Sequence, residues 1–504
     1  APEFISTTLD WWPLGEEAWD NSSVINADLS HPNLVAAVRG MSPFFLRIGG
    51  SQADEIVYNF SERNASNQTN NSSSIEDVKI ASQCKKKPQK CLTQQRWDTV
   101  LDFAHQSGAR IVFTIAYVIH TRHDGKGKEH NDQQDWDSSN ARRFLEYTAS
   151  TKHARLGTVF GFELGNELRH KGKIKNVTRI VNAYQELGEI VDEIWSKGER
   201  RKYPKPKILR PASTGKKETT KLVSALRKHI HIASYHKYHG GGKDANLLEH
   251  ATHPAFYSHP LQLSGPGEAV EQYMTKKNNS EGGQLWIGEG AMAYNSGRQG
   301  LTDTFRGSTW FVNLLGALAK TQPVPHSVYC RQALLGGYYE LISHQTLIPN
   351  PDYWVAYVWK HVVGTKAIGP IVSPQREDSV EYASELTFGC CKKPGRDSVL
   401  IHSFCAKSQN GDVVFTVINI SEYTSMNLNV TMGGNRTEYL LTPNEDGFRS
   451  RDVLLNGKLM SIKHGTLPNV SAAGIRRRSS GQFHIPPISI AFLIVHGAGV
   501  RECL

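Results

Sequence analysis

Glu167 closes Gly161-Phe-Glu-Leu-Gly-Asn-Glu167, an apolar run that reads as a buried strand and ends in polar residues a strand interior does not choose without cause. Glu289 closes a second such run, Gln284-Leu-Trp-Ile-Gly-Glu-Gly290, between two glycines that admit close approach of backbone and ligand. Two carboxyls presented this way suit a retaining glycosidase, in which one serves as acid and base and the other as nucleophile. Glu289 must then be ionised and Glu167 protonated, which predicts an acidic pH optimum.

The two glutamates stand 122 residues apart. That leaves room for about three βα units, so they would end strands four and seven of a (β/α)8 barrel, whose sites lie at the C-terminal strand ends. Strand-like segments fall at Phe4 to Trp12, Phe44 to Gly50, Arg110 to Tyr117, Val159 to Glu167, Lys207 to Ser213, His231 to Tyr238, Gln284 to Gly290 and Ser327 to Gly337. Helical patterns lie between them at Arg96 to Gln106, Ser138 to Ser150, Val177 to Lys197, Thr219 to Lys228 and Leu301 to Lys320. From about Thr365 the segments become short and alternating: Ser398 to Phe404, Asp412 to Asn419, Met426 to Thr431, Glu438 to Leu441 and Ile488 to Val495. The expected fold is α/β, a (β/α)8 TIM barrel over residues 1–364 with a C-terminal antiparallel β-sandwich domain over 365–504.

A chain of 504 residues can bury a large core and is too long for one ordinary domain. Its 58 Lys+Arg against 48 Asp+Glu give a net charge of +10, which favours anionic partners. No nucleic-acid-binding pattern is present, and no apolar run reaches the roughly 18 residues of a membrane span. The sequons at Asn21, Asn59, Asn64, Asn67, Asn70, Asn71, Asn176, Asn278, Asn419, Asn429, Asn435 and Asn469 predict N-linked glycans on a secreted, vacuolar or lysosomal protein. The chain starts at Ala1, as expected after removal of a signal peptide. Of the seven cysteines, Cys84 pairs most simply with Cys91 and Cys405 with Cys503. There is no CxxC or HExxH and hence no zinc motif. Two inserts, Ser61 to Cys91 and Thr121 to Trp136, follow strands two and three and should emerge on the active-site face.

Several motifs in order resemble glycoside hydrolase family 79, the heparanase and plant β-glucuronidase family. They are Arg47-Ile-Gly-Gly-Ser-Gln-Ala-Asp54, Phe162-Glu-Leu-Gly-Asn-Glu167, Gly288-Glu-Gly-Ala-Met-Ala-Tyr294, Leu301-Thr-Asp-Thr-Phe305, Arg331-Gln332 and Pro351-Asp-Tyr-Trp354. Phe4 to Trp12 and Arg96-Trp97-Asp98 look closer to the plant members. The resemblance implies the barrel and sandwich, no cofactor, and hydrolysis of β-linked glucuronic acid with retention. It implies Glu167 as acid/base, Glu289 as nucleophile, and Asn166 on the sugar 2-hydroxyl. Asp10, Gly50 and Ser51 would reach the sugar ring, and His236 and Tyr238 would lie near the nucleophile. Gln332 and Tyr339 would help hold the glucuronate, whose carboxylate would meet the backbone after Tyr294, at Ser296 and Gly297. Animal members carry Gly-Gly-Gly where this chain has Asn295-Ser-Gly297, and Lys216 and Lys217 stand where they carry an arginine pair.

The implied function is an exo-acting retaining β-glucuronidase on flavonoid-type glucuronides or arabinogalactan ends, working as a monomer. An endo-β-glucuronidase on a sulfated polysaccharide uses the same chemistry, and the basic charge suits it. A non-catalytic heparan-sulfate-binding protein is the reading from another class, and it has no need of two carboxylates at strand ends. Glu163 shares strand parity with Glu167 and is expected to form a buried pair with Arg47. Arg476 to Arg478 is expected as a solvated charge cluster in a loop, with a polyanion exosite as the alternative.

Overall fold

The computed structural model describes residues 1–12, 17–60, 75–117, 121–123, 129–131, 135–168, 174, 176–209, 226, 232–253, 256–257, 284–320, 326–369, 399–408, 410–430, 434–478 and 481–504. The expected helix over 219–228, apart from Leu226, and the sequon-dense stretch 61–74 lie outside these residues. So do Lys216, Lys217, Cys390 and Cys391.

Eight parallel strands carry the fold: β1 Ile5–Asp10, β2 Phe44–Gly49, β3 Ala109–Ile115, β4 Val159–Leu164, β5 Lys207–Ile208, β6 Ile232–Gly241, β7 Gln284–Tyr294 and β8 His326–Arg331. They neighbour one another in the order β6-β7-β8-β1-β2-β3-β4-β5, and a parallel bridge between Leu209 and Ile232 joins the two ends of the sheet. β1 and β2 are buried throughout, and β3 at all but one residue, on both faces, as parallel strands covered by helices require. The fold is therefore the expected barrel, with Glu167 just past β4 and Glu289 within β7.

The helices follow local signals where those are strong. Thr93 caps Gln94–Ser107 by accepting from the Arg96 amide, and Gly108 ends it in the left-handed region at φ 70°. Asn176 caps Val177–Ser196 in the same way. Pro351–Val362 is a further helix that periodicity does not mark, because it is apolar nearly all round. It is covered on both sides: Trp359 meets Phe404 and Phe492 of the antiparallel sheet edge-on, while Asp352 pairs with Arg331 at the end of β8. Burial raises the Asp352 pKa, with Arg331 opposing that, and Ser308 donates a third bond at 2.9 Å. Arg331 and Asp352, both within the family-like motifs, thus fasten a helix to the barrel.

The antiparallel sheet runs Val363–Ala367, Val399–Ala406, Val413–Asn419, Ser489–His496, Asn435–Pro443, Val453–Leu455, Lys458–Leu459 in spatial order. A two-stranded layer, Met426–Val430 with Gly481–Ile485, lies off this path. Disulfides join Cys84 to Cys91 and Cys405 to Cys503, as the spacing suggested. Three expectations need correction. Arg476 to Arg478 lies not in a loop but in the strand Ile475–Arg478, which pairs with Asn435–Glu438 and leaves all its side chains exposed. The eighth strand ends at Arg331 rather than Gly337; Leu334 N still donates to Thr8 O of β1, and the chain turns away at Gly336 and Gly337, at φ 87° and 73°. Asn419 is fully buried and its amide donates to Thr424 and Pro486 carbonyls, so this sequon cannot carry a glycan in the folded chain.

Candidate active site

The barrel strands deliver their charged residues to one end of the sheet. Arg47, in β2, is buried and bonds three partners: Nε to Glu163 at 2.8 Å, Nη1 to Glu289 at 3.0 Å and Nη2 to the Asn166 side-chain oxygen at 2.9 Å. Burial disfavours the guanidinium charge, but Glu163, Glu289 and Asp10 outweigh that and raise its pKa. Thr114 of β3 adds a bond to Glu163 at 3.2 Å. The expected Arg47–Glu163 pair is present. The contact of the same cation with Glu289 and Asn166 was not foreseen, although an arginine inside Phe44-Phe-Leu-Arg-Ile was a visible signal.

Past β4 the chain turns through Gly165 at φ 67° and Glu167 at φ 50°, a backbone region that non-glycine residues adopt rarely and that often marks function. The Asn166 amide donates to Asp54 Oδ1 at 2.8 Å, which anchors this turn on the segment after β2. His236 of β6 places Nδ1 2.8 Å from Glu167 and 3.6 Å from Glu289. Burial works against an imidazolium there, yet Glu289 and Glu167 overcome it and hold the His236 pKa above its ordinary value. One ring nitrogen thus lies beside both carboxylates and places them at a single site, as a glycosidase pair requires.

Glu289 is held from two sides, since Tyr238 donates its hydroxyl to Oε1 while Arg47 takes Oε2. Burial, then Glu289 itself, pushes the Tyr238 pKa well up, so the phenol remains a donor. Asp10 ends β1 in full burial, and Gln332 donates to it at 2.5 Å. Thr8 donates to the Gln332 oxygen and so turns the amide nitrogen towards Asp10. Burial and the nearby Glu289 push the Asp10 pKa up to about 7, against the pull of Arg47. Gly50, at φ 95°, has no room for a side chain, because a Cβ there would lie 2.8 Å from the Asp10 carboxyl carbon.

The other expected residues are less tightly gathered. Tyr339 is buried, with its hydroxyl 3.5 Å from Gln332 Nε2. Ser51 is exposed and takes no side-chain bond among the described residues. Tyr294 is 51% exposed at the end of β7, edge-on to Tyr238. After it Asn295, Ser296 and Gly297 all have positive φ, and the Ser296 and Gly297 N–H groups donate to no backbone carbonyl among the described residues. Trp19 was missed altogether. It sits in a three-residue turn, Glu17–Trp19, donates to Ser296 Oγ at 2.8 Å, stacks on Trp12 and meets Tyr339 edge-on. No local pattern in the sequence marks it.

A parallel barrel hosts many chemistries, but two carboxylates gathered at one site, Glu167 just past β4 and Glu289 within β7, suit one of them best, and the protein is a barrel glycoside hydrolase. Residues 1–316 match the N-terminal domain of glycosyl hydrolase family 79, and the chain belongs to that family. It is 29% identical to baicalin-β-D-glucuronidase of Scutellaria baicalensis, over 98% of this chain and 89% of that protein. It is 28% identical to heparanase-like protein 2 of Arabidopsis thaliana, over 99% and 92% respectively. Among solved structures, a 4-O-α-L-rhamnosyl-β-D-glucuronidase from Fusarium oxysporum shares the fold, with a TM-score of 0.60 at 12% identity over 98% of this chain and 96% of that one.

Two outcomes follow from the buried charges. Arg47→Ala leaves Glu163 and Glu289 buried without their cation and is expected to destabilise the protein by about 3–5 kcal/mol; an unchanged denaturation midpoint would contradict the account. Asp10 has a higher pKa folded than unfolded, so its contribution to stability is present below about pH 4 and is lost as pH rises through about 7. Asp10→Asn should therefore gain stability relative to wild type between pH 5 and pH 8 in denaturant melts, and a gap independent of pH would refute the assignment.

Proposed function

We propose that this chain is a retaining β-glucuronidase that releases β-linked glucuronic acid, with Glu289 as nucleophile and Glu167 as acid/base. The observation that carries the reading is the single imidazole nitrogen of His236 close to both carboxylates, on a barrel whose family and relatives include glucuronidases. Glu289 attacks the anomeric carbon as the bond to the leaving oxygen breaks, and Glu167 gives that oxygen its proton. The resulting glycosyl ester on Glu289 is then attacked by water, whose proton passes to Glu167, and Glu289 leaves as carboxylate.

The surrounding residues take their roles from this chemistry. Arg47 and Tyr238, one on each oxygen, keep Glu289 aimed. Arg47 also takes the Asn166 oxygen, which turns the Nδ2 donor end towards the sugar 2-hydroxyl. Asp10, Gln332 and Tyr339 hold the ring hydroxyls, and the Ser296 and Gly297 amides offer donors for the glucuronate carboxylate. The sequons and two disulfides support a secreted, vacuolar or lysosomal glycoprotein. An endo-acting, heparanase-like enzyme on an acidic polysaccharide is the second reading, favoured by the net charge of +10 and the exposed Arg476, Arg477 and Arg478.

The test is turnover of 4-nitrophenyl β-D-glucuronide between about pH 4 and 7, with the anomer of the released sugar followed by NMR. Wild-type protein should release β-glucuronic acid first. Glu289→Gln should be inactive, and Glu167→Gln should lose about 10²–10⁴-fold on substrates with poor leaving groups. Initial release of the α anomer, or activity that survives Glu289→Gln, would reject the mechanism.

A further inference from the structure

Three loops at the C-terminal end of the barrel are stitched together around Trp19, and nothing in the catalytic chemistry requires this. Gly337 N, after β8, donates to Ala18 O, after β1, at 2.6 Å. Tyr338 N donates to Ser296 O, after β7, at 2.7 Å, and Trp19 Nε1 donates to Ser296 Oγ at 2.8 Å. The Trp19 ring is buried, stacked at 4.4 Å and 18° on the half-buried Trp12 and edge-on to Tyr339. Gly337 has no space for a Cβ because the rings of Tyr339 and Trp19 lie against it. Trp12, Ala18 and Tyr238 complete an apolar cluster with Ala291 and Ala333.

This cluster lies on one side of the site only. In a ring of eight strands, β4 with Glu167 lies opposite β8, while Asp10 and Gln332 come from β1 and the end of β8. The leaving group must lie towards the acid/base on β4. A sugar extending from Glu289 away from β4 would point its far hydroxyls towards Asp10, Gln332 and Tyr339, and Trp19 packs against Tyr339 with Trp12 stacked on Trp19. A chain continuing from O4 would have to pass through the stitched loops.

Resting on the glucuronidase reading, we propose that the Trp12–Trp19–Tyr339 wall closes the non-reducing end of the sugar site, so that the enzyme accepts only a terminal, unsubstituted glucuronic acid. Trp12, at the lip of the wall and in contact with Trp19, is the residue that sets this specificity. The substrate class is then glucuronides and chain ends. Internal glucuronates of a polysaccharide are excluded by steric closure rather than by lack of charge complementarity.

The test compares 4-nitrophenyl β-D-glucuronide with the same compound carrying a glucosyl group on O4. Wild-type kcat/KM is expected to fall by at least about 100-fold with the added sugar. Trp12→Ala removes the half-exposed ring and should recover about tenfold or more of that loss on the extended substrate without a matching gain on the simple one. Turnover of both compounds at similar rates by the wild-type protein overturns the wall while leaving the glucuronidase reading intact. An extended substrate that Trp12→Ala still excludes, in protein whose denaturation curve matches wild type, overturns the role of Trp12. No turnover of either compound by wild type overturns the glucuronidase reading and the proposal with it.

Discussion

One buried cation organises this site. Arg47 is surrounded by Glu163, Glu289 and the Asn166 amide at 2.8–3.0 Å, and each of these needs it as much as it needs them. Removing carboxylates from water is costly unless opposite charge and hydrogen bonds replace the lost hydration. Glu163 therefore completes the charge balance from lower in the barrel and leaves Glu289 held by one guanidinium nitrogen and one phenol. Gly49 is part of the same constraint, since a Cβ there would lie 2.8 Å from the guanidinium. Because Asn166 shares the cation, the turn that carries Glu167 is fixed relative to Glu289 through Arg47, although the two carboxylates lie on different strands.

Outward from that centre, the fold spends its buried polar contacts on holding loops. Asp54 anchors the Asn166 amide, Thr8 orients Gln332, and Arg331 with Asp352 ties a helix to the end of β8. Glu340 collects the Gly336 amide, the His344 amide and His344 Nδ1 on a single carboxylate oxygen, and His344 Nε2 reaches the Glu17 carbonyl. The segment bearing Trp19 and the loop bearing Tyr339 are thus braced from below as well as stitched across the top. The antiparallel sheet contributes by covering the apolar helix Pro351–Val362 rather than by supplying any of the residues around Glu289.

The sequence made the strand ends legible because their signal is local: an apolar run, a carboxylate, and small residues beside it. Glu167, Glu289 and Gly50 belong to that class, and so does the count of eight strands. Arg47 was visible as a charge in a buried strand, but its three partners come from β4, the turn after it and β7, and no local pattern encodes contacts of that range. Trp19 lies in a three-residue turn whose position depends on a backbone bond from Gly337 to Ala18 and on the side-chain bond of Trp19 to Ser296. The helix Pro351–Val362 carries no polar stripe because both of its sides are covered, and periodicity finds only half-covered helices. Arg476 to Arg478 reads as a loop by composition, and becomes a strand only because Asn435–Glu438 is there to pair with it. The resemblance reached further than periodicity, since it named Asp10, Asn166, His236, Tyr238, Gln332 and Tyr339, residues from separate strands and turns that no local pattern groups; the structure puts Asn166 on Arg47, His236 and Tyr238 beside Glu289, and Gln332 between Asp10 and Tyr339.

The central claim is that Glu289 forms a covalent bond to the sugar, and the most direct measurement is trapping of that bond. A 2-fluoro-glucuronyl fluoride slows both steps of a retaining reaction and, with a good leaving group, lets the glycosyl ester accumulate. Mass spectrometry of the proteolysed protein is expected to show one label, on the peptide containing Glu289, and no label after Glu289→Gln. A label on the peptide containing Glu163 or Glu167 instead, or inactivation that proceeds unchanged in the Glu289→Gln variant, would contradict the account.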